Sequence, residues 1–191
     1  MEPIEIFKSL KPVDITSFFN CFSKFSNNAF RLEMLDIYNV SGELEEYQKF
    51  LKGEPPPLNA NEDWVGIINE ACEREAKMKR VRLARKPFST YLKYEVAWGY
   101  HASQNAGEDI SVIITNTLPS FKTSVPILKD YWLFDDQECY LLEYDFIGTF
   151  LGINKVPDSL IESYVKLKEE TISLSTPIRE TEIWGLGSEC K

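Results

Sequence analysis

Arg80, Arg82, Arg85, Tyr91 and Glu95 stand close together in the stretch KRVRLARKPFSTYLKYE, residues 79–95. Guanidinium forks grip phosphate or carboxylate through paired hydrogen bonds, a phenol can donate a proton, and a carboxylate can take one. These residue types at this spacing admit an anion or nucleotide site. They also admit a nuclease or phosphate-transfer chemistry using Arg80, Arg82, Tyr91 and Glu95. From residue 77 to 94 there are seven Lys or Arg and no Asp or Glu, in a chain of formal net charge −9. Three readings account for the segregation. In the structural one, the arginines pair with carboxylates on neighbouring strands, with Glu33, Asp109, Glu143 and Asp145 as candidates; each such pair contributes ~0.2–1 kcal/mol. The second is the anion pocket. The third is a strip facing a partner or RNA. Only the first needs no ligand.

Other chemistry is scarce. His101 is the single histidine, so a Ser-His-Asp or Cys-His set would depend on it, and no G-x-S-x-G turn accompanies it. The paired H-x-K pattern of phospholipase D chemistry is absent. His101 reads as a polar residue near a helix end. Cys21, Cys72, Cys139 and Cys190 are dispersed with no C-x-x-C pair, so neither zinc nor a disulfide framework is expected, and Cys21 and Cys72 suit buried thiols. Glu33, Glu95, Glu108, Asp109, Asp130, Asp135 and Asp136 could face a magnesium ion, but several sit where turns favour Asp for backbone reasons. No metal and no cofactor are expected.

The elements that position these residues follow from periodicity. Asp14 caps a helix whose stripe is Ile15, Phe18, Phe19, Phe22 and Phe25. Residues 30–38 suit a strand. Ser41 caps a helix carrying Leu44, Tyr47 and Leu51, stopped by Gly53 and the prolines 55–57. Residues 61–78 form a helix with Trp64, Ile67, Ile68, Ala71 and Met78 inward and Glu73–Lys77 and Glu75–Lys79 pairs outward. Arg80, Arg82 and Ala84 alternate with Val81 and Leu83, a strand period. Ser89 caps a helix over 90–104, and 109–117 is a strand, giving a β-α-β unit with parallel strands. Residues 130–145 form a hairpin turning at Asp135-Asp136-Gln137. Its rings, Tyr131, Trp132, Phe134, Tyr140 and Tyr144, load both faces, one of them core and the other either covered by the C-terminal helix or free as a binding surface, with helix cover favoured. A last helix starts at Asp158 or Ser159. The tail from 176 is either docked by Trp184 or loose.

The expected architecture is one α+β domain over 1–191. A helical N-terminal part, about 1–54, precedes a sheet-containing part, about 61–175, and a tail, 176–191. The sheet is mixed or mostly antiparallel with four to five strands, and a C-terminal helix packs on it. With 43% apolar and 13% aromatic residues the chain supports a packed core. The apolar runs are too short and too charged to span a membrane. The acidic start, MEPIE, is unlike a secretory leader. The location expected is the cytoplasm.

The motifs FRLE (30–33), RVRL (80–83) with Pro87, Ser89 and Tyr91, GEDI (107–110) and WLFDD (132–136) resemble those of a bacterial domain family of unknown function, abundant in actinomycetes. The resemblance covers about 30–148, with Ser111 where Arg is common and Tyr131 for Phe. It implies a small bacterial protein, often encoded beside or fused to helix-turn-helix regulators. It implies no established activity, and no site residue is transferred by it. The expected function is a non-catalytic cytoplasmic binding or regulatory module, with Arg80, Arg82, Arg85, Tyr91 and Glu95 as candidate ligand contacts. Its alternatives are the phosphate-transfer enzyme and an acidic immunity or antitoxin-like inhibitor. The expected partner is a basic protein or a helix-turn-helix regulator. Strong direct binding to nucleic acid is not expected, because the net charge opposes a phosphate backbone.

Overall fold

Short apolar strands with rings on both faces need helices above and below, and the chain supplies them. A computed structural model describes residues 9–40, 42–57 and 59–186. The strands are β1 (Lys11–Val13), β2 (Asn28–Glu33), β3 (Lys77–Arg85), β4 (Asp109–Thr115), β5 (Tyr131–Phe134), β6 (Glu138–Tyr144), β7 (Phe150–Lys155) and β8 (Thr176–Pro177). They form one eight-stranded mixed sheet in the order β1-β7-β6-β5-β2-β3-β4-β8. β2, β3 and β4 are mutually parallel and the other pairs are antiparallel.

Eight strands correct the expected four to five. β1 and β8 are too short to show alternation, and each contains a proline, Pro12 and Pro177. A proline lacks the ladder N–H and is tolerated at a sheet edge, and these are the two edge strands. β7 hides its period behind Gly152. The N-terminal part expected to be helical thus supplies β1 and β2, and the tail supplies β8.

The helices are α1 (Ile15–Phe19), α2 (Leu44–Leu51), α3 (Glu62–Glu73), α4 (Thr90–Tyr94), a π-helical segment (Glu95–Tyr100), α5 (His101–Ala106), α6 (Asp158–Leu174) and α7 (Glu182–Gly185). Several local expectations shift. Asp14 caps α1 through the Ser17 N–H, but α1 ends at Phe19 and turns carry Phe22 and Phe25 inward. The strand expected over 30–38 ends at Glu33. Glu43 occupies the cap position of α2, and Ser41 lies outside the described residues. The helix expected to reach 78 stops at Glu73. Glu75 adopts a left-handed φ of 60°, so the two Glu–Lys pairs cannot form and Met78 enters the core from β3. Ser89 caps α4 by accepting from the Leu92 N–H. The hairpin turns through the three residues 135–137, with Asp135 and Asp136 at left-handed φ of 50° and 58° and the Gln137 N–H donating to the Phe134 carbonyl at 2.9 Å.

One sheet face, with Phe30, Leu32, Val81, Leu83, Tyr131 and Leu133, packs under Ile161, Tyr164 and Leu167 of α6. The other face carries two clusters. Trp132, Phe134, Tyr140 and Met78 meet α1, Phe22 and α3. Ala84, Ile110 and Val112 meet Leu92, Val96, Tyr100, Ile178 and Ile183. Both ring-bearing faces of the hairpin are therefore covered. The tail is docked: Trp184 stacks on His101 at 3.6 Å and 4°.

Ile178 is fully buried against this second cluster. Ile178→Ala is expected to destabilise the protein by about 2–5 kcal/mol in urea unfolding. A loss below about 0.5 kcal/mol would mean that the tail is not part of the core.

Candidate functional site

Between those two apolar clusters, strand alternation sets four charged side chains on one sheet face. Arg31 and Glu33 project from β2, Arg80 and Arg82 from β3. The parallel register pairs Arg31 with Arg80 and Glu33 with Arg82. Two guanidiniums side by side repel, so this register demands carboxylates. Glu33, 2% exposed, answers it. It is 2.8 Å from Arg31 Nε, 2.6 Å from Arg80 Nη1 and 3.7 Å from Arg82 Nη1. It also accepts from the Tyr100 hydroxyl at 2.8 Å. Glu108, in the turn before β4, accepts from Arg80 Nε at 2.9 Å and from the Trp64 indole at 3.1 Å. Glu95, on the π-helical segment, lies 2.9 Å from Arg82 Nη2.

Rings complete the enclosure. The Arg82 guanidinium sits 4.7 Å from the Tyr38 ring centroid, Arg31 5.5 Å from Trp132, and Arg80 5.5 Å from Tyr100. Tyr38 donates to Asp130, which also accepts from the Met34 N–H.

Burial drives these carboxyls upward, and neighbours decide the outcome. At Glu33, Arg80, Arg31, Arg82 and the Tyr100 hydroxyl overcome burial and hold the carboxyl down at about 2. At Glu95, burial overcomes Arg82 and, with Glu33 and Glu43 adding repulsion, pushes the carboxyl up to about 8. Asp130 is pushed by burial to about 6, against the pull of Arg31 and Tyr38. Burial thus favours the neutral form of Glu95 beside Arg82, whose other carboxylate neighbour is Glu33 at 3.7 Å.

Above this floor lies a cavity of about 910 Å3. Its floor includes Arg31, Glu33, Arg80 and Glu95, and one wall carries Tyr91, Tyr94 and Trp98. The facing wall is apolar, from Phe18, Phe19, Phe150 and Ile153. The helix between β3 and β4 switches to π-helical hydrogen bonding over Glu95–Tyr100, the turn that presents Glu95, Trp98 and Gly99 to the cavity. π-Helical turns are rare and recur at functional sites.

The structure brings Arg80, Arg82 and Glu95 together, but as an internally paired network. Arg82 is buried beneath the cavity. Tyr91 reaches the cavity wall, where its hydroxyl donates to Glu43 at 2.8 Å; burial first, then Glu95 and Glu43, push its ionisation up. Arg85 has the opposite strand parity and pairs with Asp36 at 3.0 Å. Of the carboxylates proposed for the arginines, only Glu33 serves. Asp109 pairs with Lys79 and Glu143 with Lys129. Asp145 accepts from the backbone of Ile147 and Thr149 in its own hairpin. The magnesium candidates disperse likewise: Asp135 accepts from the Ser26, Asn27 and Asn28 N–H groups, and Asp136 pairs with Lys168. Among the described residues no group of three or more His, Cys, Asp or Glu is placed to hold a metal ion. Cys21 and Cys139 are buried thiols, whereas Cys72 is exposed, correcting the expectation for it.

Sequence reasoning missed Arg31, Tyr38, Glu43, Glu46 and Trp98. A period-two reading of FRLE places Arg31 and Glu33 on one face, a signal that was there to use. Nothing local marks Glu43 or Trp98: Glu43 reaches Tyr91 and Trp98 packs on Phe50 only when α2 folds onto α4 and the π-helical segment.

Residues 16–181 match the family described as a domain of unknown function, DUF6879, and the chain belongs to that family. No curated protein matches the chain in sequence. Among solved structures, a phospholipase D family member, Nuc from Salmonella typhimurium, is similar at 10% identity with a TM-score of 0.47, over 85% of this chain and 88% of that one. No described helix is long and apolar enough to cross a membrane.

The raised Glu95 carboxyl has a signed consequence for stability. Arg82 and Arg80 of β3, Glu33 of β2, Glu43 beside α2, and Tyr91 and Tyr100 of its own helical run all face it. Its folded value, about 8, lies above the ordinary 4.5, so its contribution is full below 4.5 and is lost as pH rises through 8. Unfolding free energies of wild type and Glu95→Gln are expected to agree near about pH 5 and to diverge by more than about 1 kcal/mol near about pH 9, with the variant the more stable. Parallel curves would contradict this assignment.

Proposed function

We propose that this DUF6879 protein is a non-catalytic binding or regulatory module of the bacterial cytoplasm, and that the ring-walled cavity above Glu33 is where it binds its ligand. The observation that carries the reading is the contrast between floor and walls. Arg31, Arg80 and Arg82 are each met by carboxylates of the protein itself. The walls are buried rings that edge a cavity of about 910 Å3, within the range of small-ligand sites.

A phosphate-transfer enzyme would need Arg80 and Arg82 available to the transferred group and a base poised against a nucleophile. Here Arg82 lies below the cavity. Burial favours the neutral form of Glu95, and the Tyr91 hydroxyl is held by Glu43. The free thiols Cys21, Cys72 and Cys139 suit a reducing compartment. The net charge of −9 favours a basic protein partner, such as a helix-turn-helix regulator, over nucleic acid.

Gly99 provides the test. It lines the cavity, and a Cβ there would meet only Asn61 Nδ2, at 4.0 Å. Gly99→Ala is expected to be neutral or to stabilise by up to about 1 kcal/mol, and Gly99→Leu to fold while projecting its side chain into the cavity beside Asn61. In a crystallographic and thermal-shift fragment screen, small molecules should bind in the wild-type cavity and fail with Gly99→Leu. Binding untouched by Gly99→Leu, or turnover of phosphodiester substrates by the wild type, would overturn the proposal.

A further inference from the structure

The cavity is chemically one-sided. Six acidic side chains line it, Glu33, Glu43, Glu46, Glu62, Asp63 and Glu95, against two guanidiniums, Arg31 and Arg80. Both guanidiniums are spent. Arg31 is paired with Glu33, and Arg80 with Glu33 and Glu108. An anionic ligand would find no unpaired cation in that lining. Glu43 and Glu46 are in the converse position. Each is half-buried, and among the described residues neither is paired with a Lys, Arg or His. Their polar contacts are phenols: the Tyr91 hydroxyl donates to Glu43 at 2.8 Å and the Tyr94 hydroxyl to Glu46 at 3.3 Å.

Those two phenols belong to a continuous ring surface. Tyr91 and Tyr94 have centroids 5.8 Å apart, Tyr94 and Trp98 5.7 Å, and Tyr47 abuts both tyrosines at 5.4 and 5.3 Å. The π-helical turn extends this surface by setting Trp98 and Glu95 on the cavity side. Aromatic faces attract desolvated cations by about 0.5–2 kcal/mol each. Half-buried carboxylates without a cation retain an uncancelled field. Rings and carboxylates meet in the same wall.

We infer that this cavity takes an organic cation, a guanidinium or substituted ammonium, whose charge sits between Glu43 and Glu46 against the rings of Tyr91, Tyr94 and Trp98. The inference rests on the proposal that the cavity is the binding site, and it adds the chemical class. The same cation chemistry is offered by a free small molecule and by an arginine or lysine side chain of a basic partner protein. Burial pushes the Glu43 carboxyl above its ordinary range, with Tyr91 only partly opposing it. A bound cation brings it down, so binding releases protons.

The test is calorimetric titration of the full chain with agmatine and choline, with glutarate and glycerol as anionic and neutral controls. A second arm uses a short arginine-bearing peptide and its citrulline twin. Agmatine, choline or the arginine peptide should bind saturably below about 10 mM, with the citrulline twin and glutarate silent. Binding by agmatine or choline alone identifies a small-molecule source, and binding by the peptide alone identifies a protein side chain. Glu43→Gln combined with Glu46→Gln should weaken binding at least about tenfold at an unchanged melting temperature. Should that variant fail to fold, Glu62→Lys, exposed on the rim, should weaken binding in the same direction. Glutarate or glycerol binding that Gly99→Leu blocks, with every cation silent, would overturn the cation inference and leave the binding module standing. Cation binding indifferent to both sets of carboxylate variants would overturn it equally. Silence of all probes, with an empty fragment screen, would sink both.

Discussion

The buried carboxylate of Glu33 is the contact on which the rest of this architecture depends. Parallel pairing of β2 with β3 places Arg31 beside Arg80 and Glu33 beside Arg82 in a layer that the helices then close. Without Glu33 three guanidiniums would share one water-poor layer. Removing one partner from such a network leaves uncompensated charge, at a cost of about 3–5 kcal/mol. The same carboxylate anchors Tyr100, and Arg80 extends the network through Glu108 to Trp64. The helix over β3 and β4, the helix α3 and the sheet are thus registered on one charged seam, with an apolar cluster on either side of it.

That seam also explains the segregated cations. Five of the basic residues between 77 and 94 have carboxylate partners: Lys79 with Asp109, Arg80 with Glu33 and Glu108, Arg82 with Glu33 and Glu95, Arg85 with Asp36, and Lys86 with Glu182. Most of the cationic cluster is consumed inside or along the sheet. What remains around the cavity mouth is acid, and the inferred preference for a cation rests on this asymmetry. The arginines that most resembled an anion site in the sequence are paired with carboxylates of the protein itself.

Much of this was legible in the chain. Alternation in RVRLA placed Arg80 and Arg82 on one face and offered Glu33 as one of four possible carboxylate partners, and the β-α-β unit, the Asp135-Asp136 hairpin and the capped helix at Ser89 followed from local rules. The edge strands were not legible, because a strand of two or three residues containing proline has no period to detect. The break at Glu75 was hidden by an apparently helical charge pattern that left-handed backbone geometry cancels. The cavity could not be read at all. Its walls come from α1, α2, α3 and the π-helical turn, and only the packing of distant segments brings Glu43 and Glu46 to Tyr91 and Tyr94. The π-helical turn itself leaves no mark in EVAWGY that separates it from an ordinary helix.

Titration of the Glu33 side-chain carboxyl carbon by nuclear magnetic resonance tests the central role of this residue most directly. Three guanidiniums and the Tyr100 hydroxyl hold its ionisation at about 2, so its chemical shift should remain that of a carboxylate at every pH at which the protein stays folded. A midpoint at the ordinary 4.5 in the folded protein would show that the arginines do not converge on Glu33, and would contradict the account.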